Sequence, residues 1–185
     1  MKETMLVAFL LLSCEAYQNP IKAAEVKSEQ KMSSSKEQIN PNIVKMQKID
    51  RLFSKYAFFF PRAKNILVSE LDALNSKEIV YVDVRESRET EVSMIEGALT
   101  QKEFEKNREN YKNHIIVVYC TIGYRSGRYS QKLIDKNFKA FNLKGGVLAW
   151  SHDKREFFRG KQKTKSVHVY GKTWNLLHSD YNPIF

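Results

Sequence analysis

Cysteine is scarce: the 185 residues contain two, Cys14 and Cys120. That excludes the multi-bridge framework by which small secreted scaffolds hold together, and leaves one disulfide as the arithmetic maximum. Long apolar runs are missing as well. The run from Met5 to Leu12 falls far short of the roughly 20 residues that a mature helix needs to cross a bilayer. Lys and Arg number 31 against 21 Asp and Glu, a net +10, yet the excess is spread along the chain and no segment forms a basic block. Dispersed charge suits weak attraction to anionic surfaces, whereas a dedicated nucleic-acid reader concentrates Lys and Arg with interleaved aromatics, so no nucleic-acid partner is expected. No internal repeat is visible. The four histidines, His114, His152, His168 and His178, show no metal-ligand spacing, and no metal site is assigned.

What is present suffices for one core. Hydrophobic residues at 42% and aromatics at 12% exclude wholesale disorder despite the charge. The length fits one globular domain with extensions and is too short for two full-sized ones.

The apolar run Met5–Leu12 has the length of a signal-peptide core. It is followed by Leu11-Leu12-Ser13-Cys14, which resembles the lipobox of bacterial lipoproteins. The resemblance implies cleavage after residue 13, acylation of Cys14 and a lipid-anchored protein at the bacterial cell envelope. Two or more acyl chains, at about 0.8 kcal/mol per buried methylene, anchor stably where one binds only marginally. The alternatives are an N-terminal helix, or a plain cleaved signal that leaves a soluble secreted or periplasmic protein. Residues 14–42 are rich in Lys, Glu, Gln, Ser and Asn and nearly free of bulky apolar side chains, and read as a flexible tether.

A folded domain is expected over 43–185. Ile49, Leu52, Phe53 and Tyr56 fall at i, i+3, i+4 and i+7, the stripe of a packing helix that ends near Phe60-Pro61. Ile66-Leu67-Val68 reads as a strand leading into a helical stretch in which Ser69 and Asp72 form an acidic capping box. Ile79–Val84, Ile115–Tyr119 and Ala140–Leu143 are further strands. Apolar strands separated by helices predict an α/β fold: a central, mostly parallel sheet of about five strands flanked by helices on both faces. Ligands of such sheets bind beyond the carboxyl ends of the strands, which directs attention to the loops after Val84 and Tyr119.

Cys120 follows a buried strand, and Thr121-Ile122-Gly123-Tyr124-Arg125-Ser126 passes into a helix carrying Leu133 and Ile134. A strand, a tight loop and a helix make an anion cradle. Backbone N–H groups point inward, the helix start adds partial positive charge and Arg125 a full one, and such dipoles favour a thiolate over a thiol. Cys120 is the nucleophile candidate, with an inert buried cysteine as the bland alternative.

VDVRESRE (82–89), MIEGA (94–98), YCTIGYRS (119–126) and LKGGVLAW (143–150) together resemble the successive signature segments of a single rhodanese domain, over about 65–150. The resemblance implies five parallel strands with flanking helices and transfer of sulfane sulfur through a cysteine persulfide. Carried over by position, Cys120 is the persulfide-forming residue and Arg125 the cation closing its loop, the two catalytic residues. Thr121, Ile122, Gly123 and Tyr124, with Ser126 after them, bind the substrate. Asp83, Arg85 and Glu89 support the site. One departure stands out: the family usually has Gly-His-Ile-Pro-Gly-Ala where this chain has Ser93-Met94-Ile95-Glu96-Gly97-Ala98, so the customary histidine is absent and an altered fit without loss of chemistry is expected.

Loop length separates two chemistries on this architecture. Cysteine phosphatases and arsenate-reducing relatives place five residues between Cys and Arg; this chain has four, Thr121 to Tyr124. A smaller ring of donors suits a persulfide sulfur better than a phosphoryl group. The expected reaction is sulfur transfer from thiosulfate or a related small donor to a thiol or cyanide acceptor, without a cofactor. The alternatives are a noncatalytic binding module at the envelope and, less favoured, a phosphatase or arsenate reductase. Trp150, after Gly145-Gly146, reads as a core anchor, and the residues from 163 onward as an extension wrapping the domain.

Overall fold

The structure, a computed structural model, describes residues 39–74 and 78–185. The signal peptide, Cys14 and most of the expected tether lie outside the described residues.

Five strands form one sheet: β1 (Asn65–Ile66), β2 (Ile79–Asp83), β3 (Leu99–Thr100), β4 (Ile115–Tyr119) and β5 (Lys139–Leu143). Their order is β1-β5-β4-β2-β3 and every pairing is parallel. Strand β4 is central because its sequence, IIVVY, is apolar on both faces, and all five residues are buried. The pleat divides them. Ile115, Val117 and Tyr119 join a cluster with Ile49 of helix α1 (Pro41–Ala57) and with Val147, Leu148 and Trp150 of the later Gly146–His152 helix. Ile116 and Val118 join Phe104, Tyr129 and Leu133 on the other face. The expected parallel α/β sheet flanked by helices is therefore present.

Three local expectations need correction. The first strand is shorter than read: only Asn65 and Ile66 pair, and Leu67 is a cap residue before a 3-10 turn over Val68–Ala73. The cap is not built from Ser69 and Asp72. Glu70 reaches back to the Leu67 amide at 2.7 Å, whereas Asp72 pairs with Arg155. Helix α1 also stops at Ala57, three residues before Phe60, and starts at Pro41 behind Asn40, whose side chain accepts from the Asn42 amide.

The remaining elements are short. Helix α2 is Ser87–Thr90, α3 Gln101–Lys106, α4 Tyr124–Asp135 and α5 Gly146–His152. Beyond α5, β6 (Phe157–Arg159) and β7 (Gln162–Thr164) form an antiparallel hairpin, and β8 (Ser166–His168) pairs with β9 (Asn182–Ile184) in parallel. This C-terminal part buries Val167, Val169, Leu176, Leu177 and Tyr181 against the same cluster as α1 and α5. Among the described residues no helix is long and apolar enough to cross a membrane.

Candidate active site

Cys120 stands at the carboxyl end of the central strand, between neighbours β2 and β5. Four residues later the chain enters α4 through Gly123, whose φ of 105° is open to glycine and strained for residues with a β-carbon. That turn sets the Gly123 N–H 3.1 Å from the Cys120 sulfur, donating to it. A second neighbour is the Ser126 hydroxyl, with its oxygen 3.4 Å from the sulfur.

Ser126 is shared. Its oxygen lies 2.7 Å from Oδ1 of buried Asn142 on β5. The Asn142 amide nitrogen donates to Asn65 Oδ1 and to the Gly123 carbonyl, at 3.0 and 3.1 Å, which leaves its oxygen as the acceptor for serine. Ser126 has one hydrogen to give, and it serves either Asn142 or an ionised sulfur. Asn142 thus fixes both the glycine turn and the serine from below.

The floor of the loop is clamped by the Gly145-Gly146 turn. Val147 donates its amide to the Cys120 carbonyl at 3.0 Å and Leu148 donates to that of Thr121 at 3.3 Å. This approach needs glycine: a β-carbon on Gly146 would sit 2.1 Å from the Cys120 oxygen, and its φ is +51°.

Arg125 does not stand free over the sulfur. Its Nη1 donates to Glu89 Oε2 at 2.6 Å and its Nη2 to Oε1 at 2.8 Å and to Thr121 Oγ1 at 3.2 Å. Thr121 donates its hydroxyl to the same carboxylate at 3.1 Å. Burial pushes the Glu89 carboxyl up, but hydrogen bonds from Arg125 and from the Glu86 amide outweigh it and hold Glu89 below the usual carboxylate range. Burial likewise opposes the charge on Arg125, and Glu89 together with the nearby Cys120 sulfur more than restores it, so the guanidinium stays cationic. Glu89 is thus tied directly to the loop.

Asp83 and Arg85 sit elsewhere. They pair with each other, Arg85 Nη2 lying 2.7 Å from Asp83 Oδ2, both side chains fully buried. Arg85 also donates to the Ser93 carbonyl at 2.6 Å, and the Ile95 amide donates to the Tyr119 hydroxyl. They brace the Ser93–Ala98 segment, the one that lacks the customary histidine, against the end of β4 and make no hydrogen bond to the Cys120 loop. Ile122 packs into the core and also faces the cavity above the cysteine, as does Tyr124.

That cavity, about 310 Å³, is lined further by Tyr56 of α1 and by Tyr170 and Trp174 of the C-terminal part. Sequence reading assigned these three to packing or wrapping, and it did not single out Asn142. The only cue was a polar residue inside an otherwise apolar strand, Ala140–Leu143.

Histidine burial makes the fold sensitive to acid. His168 is buried, and its Nδ1 accepts from the Tyr170 amide at 3.0 Å. Burial holds it below the ordinary 6.5; the Arg88, Arg85 and Arg125 charges add to this and Glu89 opposes it. Burial lowers His152 too. The unfolded chain therefore takes up protons first, so stability is full above 6.5 and is lost as pH falls below it. Thermal unfolding between about pH 7.5 and 5.5 should show this loss, reduced in His168→Asn; a flat profile contradicts the buried neutral imidazole.

Residues 67–153 match the family described as the rhodanese-like domain. A curated relative from Buchnera aphidicola, named tRNA uridine(34) hydroxylase, is 29% identical over 125 residues, 58% of this chain and 39% of its own length. Another of that name, from Ruegeria pomeroyi, is 27% identical over 89 residues, 43% of this chain and 30% of its own. The chain thus spans well under half the length of these relatives. Among solved structures, a rhodanese-like domain protein from Staphylococcus aureus is 33% identical, covering 47% of this chain and 90% of its own, with a TM-score of 0.41. A thiosulfate sulfurtransferase from Pseudomonas aeruginosa is 17% identical, covering 62% and 23%, with a TM-score of 0.49.

Proposed function

Because residues 67–153 form a rhodanese-like domain, we propose that the chain is a sulfurtransferase that carries sulfane sulfur on Cys120. The observation that carries this reading is the compact loop, four residues from Cys120 to Arg125, which turns the Gly123 amide onto the sulfur just ahead of α4. The Cys120 thiolate attacks the outer sulfur of a donor such as thiosulfate. The donor's S–S bond breaks, sulfite leaves with the electron pair, and Cys120 holds a persulfide anion. A thiol or cyanide then takes the outer sulfur and returns the thiolate. Storing the sulfur covalently divides one transfer into two easier displacements, and no cofactor takes part. Cys120 and Arg125 are the proposed catalytic residues, with Thr121, Ile122, Gly123, Tyr124 and Ser126 around the bound sulfur. Glu89 positions Arg125 and Thr121.

The proposed setting is the bacterial cell envelope, with acylated Cys14 as anchor and residues 14–42 as tether. Cys120 would then be the one remaining thiol, with no resolving partner in the chain.

Thiocyanate formation from thiosulfate and cyanide tests the reaction. Parallel double-reciprocal lines, and loss of turnover in Cys120→Ala, are expected. Hydrolysis of an aryl phosphate without sulfur transfer would favour the phosphatase alternative. Inertness toward all donors, with a partner still bound, would favour the noncatalytic module. The 29% identity to proteins named tRNA uridine(34) hydroxylase supports a second reading, participation in that RNA modification, and oxygen insertion into a tRNA uridine would favour it.

A further inference from the structure

Three of the residues that line the mouth above Cys120 come from parts of the chain outside the rhodanese-like segment. Tyr56 comes from α1, and Tyr170 and Trp174 from the C-terminal part. The rings form a continuous wall: Tyr56 and Tyr124 have centroids 5.3 Å apart, and Tyr56 and Trp174 lie 6.2 Å apart, nearly parallel at 30°. Tyr170 completes the rim. It is half exposed, sits in the left-handed region at φ 69°, and has the Arg125 guanidinium 5.6 Å from its ring. A tyrosine pays for that backbone conformation, and such strain gathers where a side chain is aimed at a ligand.

The electrostatics point the same way. Among the described residues that line the cavity, Arg125 alone carries a formally charged side chain of the Lys/Arg/Asp/Glu type, and its charge is balanced by the two-point contact with buried Glu89. Thiosulfate concentrates two negative charges on a small body and finds here no unbalanced cation. A cavity of about 310 Å³ with aromatic walls lies instead in the range of organic ligands.

Resting on the sulfurtransferase reading, we propose that the sulfur donor of this site is an organic one, its reactive sulfur borne on an aromatic or flat apolar body that stacks against the ring wall of Tyr56, Tyr124 and Trp174. With a thiosulfonate R–SO2–S⁻, the Cys120 thiolate attacks the terminal sulfur and the S–S bond breaks. The sulfinate R–SO2⁻ leaves with the electron pair and Cys–S–S⁻ remains, with no outside oxidant or reductant. The aromatic body stays in the cavity until the sulfinate departs.

Three donors test this on the full chain, with persulfide formation read by intact mass: benzenethiosulfonate, methanethiosulfonate and thiosulfate. The first should exceed the second by about tenfold in kcat/KM, the effect of about 1.4 kcal/mol of ring stacking. Thiosulfate should be poorer than benzenethiosulfonate. In Trp174→Ala the aromatic-to-methyl ratio should fall toward one; Tyr56→Leu serves the same purpose should the tryptophan variant not fold. Persulfide formation with equal rates for both thiosulfonates, or with thiosulfate preferred, overturns the organic-donor proposal and leaves sulfur transfer standing. No persulfide from any of the three overturns the sulfurtransferase reading and this proposal with it.

Discussion

Gly146→Ala is expected to abolish sulfur loading of Cys120 and to lower stability by about 2–4 kcal/mol. The added β-carbon would meet the Cys120 carbonyl oxygen at 2.1 Å and that of Thr121 at 2.7 Å. Neither atom can swing aside as the end of a flexible side chain can. They are the backbone of the proposed nucleophile and of its neighbour, and they already accept from Val147 and Leu148. Relief comes only by moving the α5 N-terminus off the loop, which withdraws both donors and lets the cysteine drift from the Gly123 amide. A positive φ at the same residue adds strain for any residue with a β-carbon. Chemical denaturation gives the stability change and intact mass gives the loading. A variant of unchanged stability that loads sulfur normally contradicts the clamp.

Glu89→Ala should have the second largest effect, about 2–3 kcal/mol in stability and a fall of at least about tenfold in the rate of sulfur loading. The carboxylate is fully buried and receives both ends of Arg125, the Thr121 hydroxyl and the Glu86 amide. Removing it leaves a partly buried guanidinium without its counter-charge and a threonine without its acceptor. The loss is smaller than for a wholly enclosed pair because Arg125 retains 28% of its side-chain exposure and can turn to water. Glu89→Gln separates charge from shape: it keeps the side chain's size and one accepting oxygen, but it loses the ion pair and puts an NH2 donor where the second oxygen accepted, and it should fall between alanine and wild type. Equal stability and loading in all three would show that Glu89 plays no part in holding the loop.

The parallel sheet was legible because its strands are apolar on both faces. Ile115–Tyr119 can be satisfied only by burial from two sides, and that demand survives in any context. The glycine turn at 123 and the Gly145-Gly146 pair were legible for a similar local reason, since each marks a backbone conformation that other residues resist. Local reading failed where a residue's partner is distant. Leu67 and Val68 have strand-like side chains, yet a glutamate three residues on captures the Leu67 amide and turns the chain early. The Phe157–Thr164 hairpin lacks the alternation that marks a strand, and only Phe157 is buried in its first arm. The Arg125–Glu89 pairing spans 36 residues, and nothing in either segment states which anion the arginine will face. The aromatic mouth is the extreme case. Tyr56 and Trp174 lie far apart in sequence and come together only because α1 and the C-terminal part pack on one face of the sheet.

The most direct test of the account is the intact mass of the full chain after exposure to excess benzenethiosulfonate or thiosulfate and removal of the donor. The account predicts a gain of one sulfur atom, located on Cys120 by peptide mapping, lost again on addition of cyanide and absent in Cys120→Ala. An unmodified Cys120 after both donors, in a chain whose thiol still reacts with a small alkylating agent, would contradict it.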